Sequence, residues 1–405
     1  MNKHKEMRKT MIEATKKQIK HLMLTKQGLI GDNLYQSKSD IVELFKRAGC
    51  IQFDPIDICG RNADIVLFSR VKNYEKSYLD TLLYEDRLLV DQWDKVMSIY
   101  ATSDWESMTP MRKRNQEVYE QNLKEYQWLI ADVLKQLETL PYLNADDLEI
   151  DIASHFFTWR HKTMGKAILD YLFFKGDVII HHREGVKKYY ALTSKYLTHL
   201  NQSQHDVIID QNTYHKFMIK RRIGAVGVLG SGPSDAYLGV NLKTAERKKY
   251  IEEMVLLGEL TEIKVEGIKD CLYILSEDLG LLQEGDVSER VEFIAPLDQL
   301  IWDRKLIKKI FDFEYKWEIY HKPELRKIAP YALPILYDHD FIGQIEMTID
   351  RKAKQWIVKN IWYKHKAPKQ KVKKLIDKKI QAFSKLNGCT SIVYVDDYEK
   401  TYEEI

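Results

Sequence analysis

Cysteine is scarce in this 405-residue chain: four residues, Cys50, Cys59, Cys271 and Cys389, none of them in a Cys-x-x-Cys pair. That scarcity argues against a disulfide framework or a zinc ribbon. Long apolar runs are missing as well; none approaches the ~18 residues a membrane helix needs. The opening stretch, MNKHKEMRKTMIEATKKQIK, is basic but lacks the apolar segment of a secretion signal. The expectation is a cytoplasmic protein with no membrane partner. Net charge is small too, +3, and excludes nothing by itself. Its distribution says more. Lys and Arg concentrate in the first 26 residues and again in RKAKQWIVKNIWYKHKAPKQKVKKLIDKK, 351–379. Each run is either an electrostatic footprint for a phosphate backbone or a solvated helix face.

What is present is ordinary globular composition over a length that predicts two to four units. The middle of the chain holds a repeat. GDVIIHHREGVK, from Gly176, and GELTEIKVEGIK, from Gly258, align without a gap at an offset of 82 residues. Each follows an apolar-periodic helix, GKAILDYLFFK in one case and AERKKYIEEMVLL in the other. The glycine after each helix suits the left-handed stop position. Two strands joined at Glu-Gly then read as a hairpin.

Helix, glycine stop and hairpin form the second half of a winged helix-turn-helix. For the later copy, a helix ending at Gly224 and a short helix capped by Ser234 or Asp235 supply the first half. Residues 151–159 do so for the earlier copy. A third copy is expected near the N-terminus, with SKSDIVELFKRAG and KSYLDTLLYEDR helical and LLVDQW pairing with VMSIYA. The predicted class is α+β: three tandem winged helices (1–140, 150–205, 206–290) followed by a β-rich subdomain with a basic tail (291–405).

Several motifs carry little chemistry. GAVGVLGSGP has no preceding strand and no following Gly-Lys-Ser/Thr, which excludes a P-loop and leaves a helix end and turn. His181 and His182, adjacent on a strand, should face opposite ways and so not chelate together. Asp338, His339 and Asp340 read as an exposed turn rather than a metal site. Trp159 and Arg160 stand at a helix entry where a backbone contact is conceivable.

The stretch CIQFDPIDICGRNADIVLFSRV, from Cys50 to Val71, is different. Gln52 and Asp54 are two apart on a short apolar strand, so both project from one face, roughly 6–7 Å apart. Phe53 turns inward, and Pro55 holds Asp54 extended at the strand end. An amide and a carboxylate displayed this way can hold and activate a water, or can be a polar face without function.

This stretch resembles the Gln-x-Asp strand, with following Arg and Ser-Arg, of the YcaQ/AlkZ-type winged-helix DNA glycosylases. The similarity continues through KQGLIG, GKAILDYLFFKGDVIIHHREGVKKYYAL, IAPLDQLIWDRKLIKKIFDFEYKWEIYHKP and LPILYDHDFIGQIEMTIDRKAKQWIV. The Gln-x-Asp form resembles the YcaQ branch, because the AlkZ branch has Gln at the second position. The resemblance implies Gln52 and Asp54 as the catalytic pair. Arg61, Asp64, Ser69 and Arg70 match the following segment, either bracing the strand or touching DNA. Asp298, Trp302 and Arg304 match positions expected to line or support the cleft, and the turn bearing His339 is expected near the lesion. The chain departs from the family in Ala295, where Ser is usual.

The implied function is monofunctional hydrolysis of the N-glycosidic bond of N7-alkylated purines in double-stranded DNA. Unhooking of interstrand crosslinks is included, with an abasic site as product. No cofactor or metal is implied, and a monomer is expected. A non-catalytic winged-helix transcriptional regulator is the alternative, and an interaction scaffold the third. No heptad run suggests the dimerisation helix a regulator usually has, and the Gln-x-Asp pair would be idle in either.

Overall fold

The computed structural model describes residues 11–148, 150, 163–200, 209–285 and 289–402. The helix expected over 151–159, with Trp159 and Arg160, lies outside them. The architecture is α+β. Contacts group the chain into two compact units, 1–76 with 218–405, and 77–217.

Within 77–217, helix Met164–Lys175 starts where the Thr163 side chain accepts the Lys166 amide. It ends at Gly176, whose backbone is left-handed (φ 96°) and donates to Leu172 O at 2.9 Å. A Cβ there would lie 2.8 Å from Arg112 Cδ, so glycine is needed for space as well as for conformation. Strands Val178–Glu184 and Lys187–Leu192 follow as the expected hairpin. Its inner face packs Val178, Ile180 and Tyr190 on Ile168, Leu172, Val133 and Leu137. Strands Leu89–Trp93 and Met97–Ala101 also pair antiparallel as expected.

In the other unit, helix Thr244–Leu256, left-handed Gly258 and strands Leu260–Val265 and Leu272–Leu275 form the later copy. The short 3-10 turn Asp235–Tyr237 is capped by Ser234, whose hydroxyl accepts the Ala236 amide. Helix Gln211–Val226 does not stop at Gly224; it continues to Val226, and left-handed Gly227 (φ 98°) is the terminator. Gly224 instead permits close packing, since a Cβ there would lie 3.2 Å from Leu275 Cδ1. The glycine-rich segment that follows contributes strand Leu229–Gly230, paired to Leu272–Leu275. Arg247 holds its turn by donating to Ser231 O and Gly232 O. Strand Ile12–Ala14 pairs parallel to Leu260–Val265 and completes a four-stranded sheet that sequence did not suggest.

The expected C-terminal β-rich region is a mixed six-stranded sheet. Val291–Phe293, Ala332–Tyr337, Asp340–Asp350 and Gln355–Tyr363 run antiparallel in that order. Ser391–Tyr394 and Glu399–Thr401 both add parallel to Gln355–Tyr363. The parallel return requires a crossover, supplied by helix Gln370–Leu386. That helix buries Val372, Ile376, Ile380 and Phe383, an i, i+4, i+8, i+11 stripe. Among the described residues no helix is long and apolar enough to cross a membrane.

Candidate active site

The strand carrying the Gln-x-Asp pair is only two residues long, Ile51–Gln52. Regular alternation therefore ends before Asp54, which stands in the loop beyond, and Phe53 is only half-buried rather than turned fully inward. Pro55 accounts for the stop: it has no amide hydrogen to continue a ladder. Instead Asp54 Oδ1 accepts the Ile56 amide at 2.8 Å, closing a local turn around the proline.

The two polar side chains are in unlike states. Gln52 is 5 % exposed, and its Oε1 is buried with no donor among the described residues. An unsatisfied buried acceptor costs about 1–3 kcal/mol, a cost that a donor reaching this atom would relieve. Asp54 is half-buried. Burial raises its pKa, opposed by the Ile56 hydrogen bond. Among the described residues no cation pairs with it. A carboxylate without a cation, with raised basicity, is suited to accepting a proton.

Helix Asn62–Phe68 stands behind this loop and is fastened at both ends. At its start, buried Asn62 donates from Nδ2 to Gln52 O at 2.9 Å and accepts the Leu297 amide at 3.2 Å. Beyond its end, Arg70 forks onto Asp298 with two 2.8 Å bonds, and both side chains are fully buried. The Arg70 guanidinium also donates to Val66 O, Ser69 Oγ and Gln27 Oε1. Asp298 caps the turn Gln299–Ile301 through the Leu300 amide. Arg61 pairs with Asp64 at 2.6 Å, and the same carboxylate accepts the Tyr74 hydroxyl at 2.7 Å.

The remaining expected residues separate by accessibility. Trp302 is buried and donates from Nε1 to Leu297 O at 3.0 Å. Arg304 is half-buried, its guanidinium 5.3 Å from the Tyr315 ring centroid. His339 is drawn to helix Lys16–Lys26: its Nε2 lies 3.0 Å from His21 Nδ1, and its Nδ1 lies 2.9 Å from Asp338 Oδ1. Asp340 pairs with Lys20 on the same helix. The Asp338–Asp340 turn is thus occupied by contacts to that helix. Among the described residues no group of three or more His, Cys, Asp and Glu is placed to hold a metal.

The reading of His181 and His182 needs correction. A β-bulge at Ile180/His182 breaks the alternation, and their Nδ1 atoms approach to 2.8 Å. Burial, with Arg87 and His182 nearby, lowers the His181 pKa to about 4. The pair belongs to a cluster with Tyr142, Tyr189 and Tyr196.

Sequence reasoning missed three features around Asp54. Asn62 lies inside the motif but reads there as a helix-start residue. Arg351 binds Asp57 Oδ2 at 2.8 Å and Asp57 O at 3.0 Å from a turn 294 residues away, which no local pattern announces. Tyr331 is buried, and its hydroxyl pKa is raised by burial and by Cys59, Tyr315 and the carboxylates of Asp54 and Asp57.

Residues 45–385 match the family described as DNA glycosylase AlkZ-like. The fold is similar to that of Streptomyces sahachiroi DNA glycosylase AlkZ, with a TM-score of 0.62 at 15 % identity. That alignment covers 95 % of this chain and all of the other. The match over most of its length shows that the chain belongs to the AlkZ-like DNA glycosylase family.

Proposed function

We propose that this DNA glycosylase hydrolyses the N-glycosidic bond of N7-alkylated purines in duplex DNA, crosslinked purines included, and leaves an abasic site. The observation that carries the reading is the buried Oε1 of Gln52, without a partner among the described residues, two residues from Asp54, which has no cation beside it among those residues and a pKa raised by burial. An N7-alkylguanine is already cationic and departs as a neutral base, so no general acid is needed. This separates the reaction from glycoside hydrolysis by two carboxylates. The remaining needs are stabilisation of a cationic sugar and activation of one water. Asp54 serves both, by its charge and by accepting the water's proton. Gln52 Oε1 accepts the other hydrogen of that water and orients it. No lysine nucleophile enters, hence monofunctional chemistry.

The two helix–glycine–hairpin copies and the N-terminal helices with hairpin 89–101 support a tandem winged-helix reading with domains at 1–140, 150–205, 206–290 and 291–405. Winged helices commonly present a helix to the major groove. The protein is proposed to act as a cytoplasmic monomer. Arg70 and Asp298, being fully buried, brace helix Asn62–Phe68 rather than touch DNA.

The test uses duplexes carrying one N7-methylguanine or one nitrogen-mustard crosslink, incubated with wild type, Gln52→Ala and Asp54→Asn. Alkali-labile sites formed by wild type and lost in Asp54→Asn are expected. Binding without base release from either duplex would favour the regulator reading.

A further inference from the structure

Helix Gln370–Leu386 carries six lysines in its 17 residues, and the fold sorts them into two sets. Lys373 and Lys379 turn inward, to Glu399 and to Glu292. Lys379 is additionally stacked over Phe68, 4.4 Å from the ring centroid. Lys371 pairs with Glu289 at 2.6 Å. Lys374, Lys378 and Lys385 are exposed on one stripe, and no carboxylate among the described residues is placed against them. The helix's one acid, Asp377, is half-buried and accepts the Tyr394 hydroxyl. A solvated helix face normally interleaves both signs at i, i+4; this stripe carries only one.

The stripe also leads toward the candidate site. Past the helix end, Asn387 accepts from Lys76 Nζ at 2.7 Å and reaches Cys59 O at 3.5 Å. Thr390 donates to Lys354 O at 2.8 Å, joining the helix end to the exposed turn that holds Arg351, Lys352 and Lys354. Arg351 in turn grips Asp57, three residues beyond Asp54.

We infer that the Lys374–Lys378–Lys385 face of this helix is a phosphate-contact surface for duplex DNA, continuous with the Asp54 loop. The axial separations, roughly 6 Å and 10.5 Å from the helical rise, correspond to about two and three nucleotides of one strand at roughly 3.4 Å each. The partner's identity rests on the glycosylase reading above; the surface's affinity for a polyanion does not.

The experiment measures binding of undamaged duplex from about 50 to 200 mM salt for three full-length proteins. They are wild type, the triple Lys374→Gln/Lys378→Gln/Lys385→Gln, and a charge-matched control, Lys316→Gln/Lys322→Gln/Lys327→Gln. The ridge triple should lower the slope of log K against log[salt] by about 2.7, at about 0.9 per lost phosphate contact. Affinity near physiological salt should fall at least about tenfold, and the control should keep the wild-type slope. Base release from an N7-methylguanine duplex by the control triple should stay at the wild-type rate. A ridge triple indistinguishable from either wild type or the control overturns the inference, as does wild type that binds no duplex at low salt. A slope change with no base release by wild type would sustain this surface and refute the glycosylase reading, so the two fail separately.

Discussion

Asp54 and Asp298 are acids of the two motifs that meet at helix Asn62–Phe68, and they have opposite surroundings. Asp298 is sealed from solvent and neutralised by a two-pronged Arg70 contact. Asp54 has one backbone hydrogen bond, no cation beside it among the described residues and a raised pKa. The first arrangement makes a carboxylate structural: it is saturated, and its removal strands a buried guanidinium. The second keeps a carboxylate under-solvated and ready to receive a proton. Matching a family position does not distinguish the two roles, whereas the surroundings do.

Breaking Asp54 should have the largest effect. Asp54→Asn is expected to lower single-turnover base release by about 10²–10⁴-fold while leaving the fold intact, as read by circular dichroism and melting. The pH dependence sharpens this. Because burial raises the folded pKa of Asp54 above 3.8, release by wild type should rise with pH through that elevated value and then level. The same shift has a stability consequence of defined sign. The carboxyl favours the fold fully below its unfolded pKa, and that contribution is lost as pH rises through the folded pKa. Asp54→Asn should therefore gain stability relative to wild type above that range, in urea titrations compared at acid and neutral pH.

Asp298→Ala should show the converse. It leaves Arg70 buried without its partner and should cost about 3–5 kcal/mol of stability in urea unfolding, with base release per folded molecule largely kept at low temperature. Gln52→Ala comes next, at about 10²-fold or less in release rate, since it misplaces a water without removing the base. Arg304→Ala should be smallest. Its guanidinium lies over Tyr315 at a half-buried position, worth about 0.5–1 kcal/mol, and no more than a small drop in melting temperature is expected.

How far the sequence disclosed this depends on the distance over which each feature is encoded. The two helix–glycine–hairpin copies were legible because glycine stop, turn and apolar stripe all lie within some twenty residues of one another. Gly224 misled because a glycine near a helix end reads as a terminator, yet it serves Leu275 packing and Gly227 performs the stop. His181 and His182 misled because a bulge cancels strand alternation without leaving a mark in the pattern. Strand Ile12–Ala14 was invisible because its partner, Leu260–Val265, lies some 250 residues away. At the candidate site the motif drew attention to Gln52 and Asp54. What makes them unequal was not legible there: the oxygen without a donor and the carboxylate without a cation among the described residues, and the Asn62 bridge to Leu297, are tertiary facts.

The most direct measurement is single-turnover release of N7-methylguanine from duplex DNA by Asp54→Asn and Asp298→Asn, each beside wild type and each with its unfolding curve. The expected result is a crossed pair: Asp54→Asn folded and inactive, Asp298→Asn less stable but active per folded molecule. Wild-type release by Asp54→Asn would contradict the assignment of Asp54 as the catalytic carboxylate.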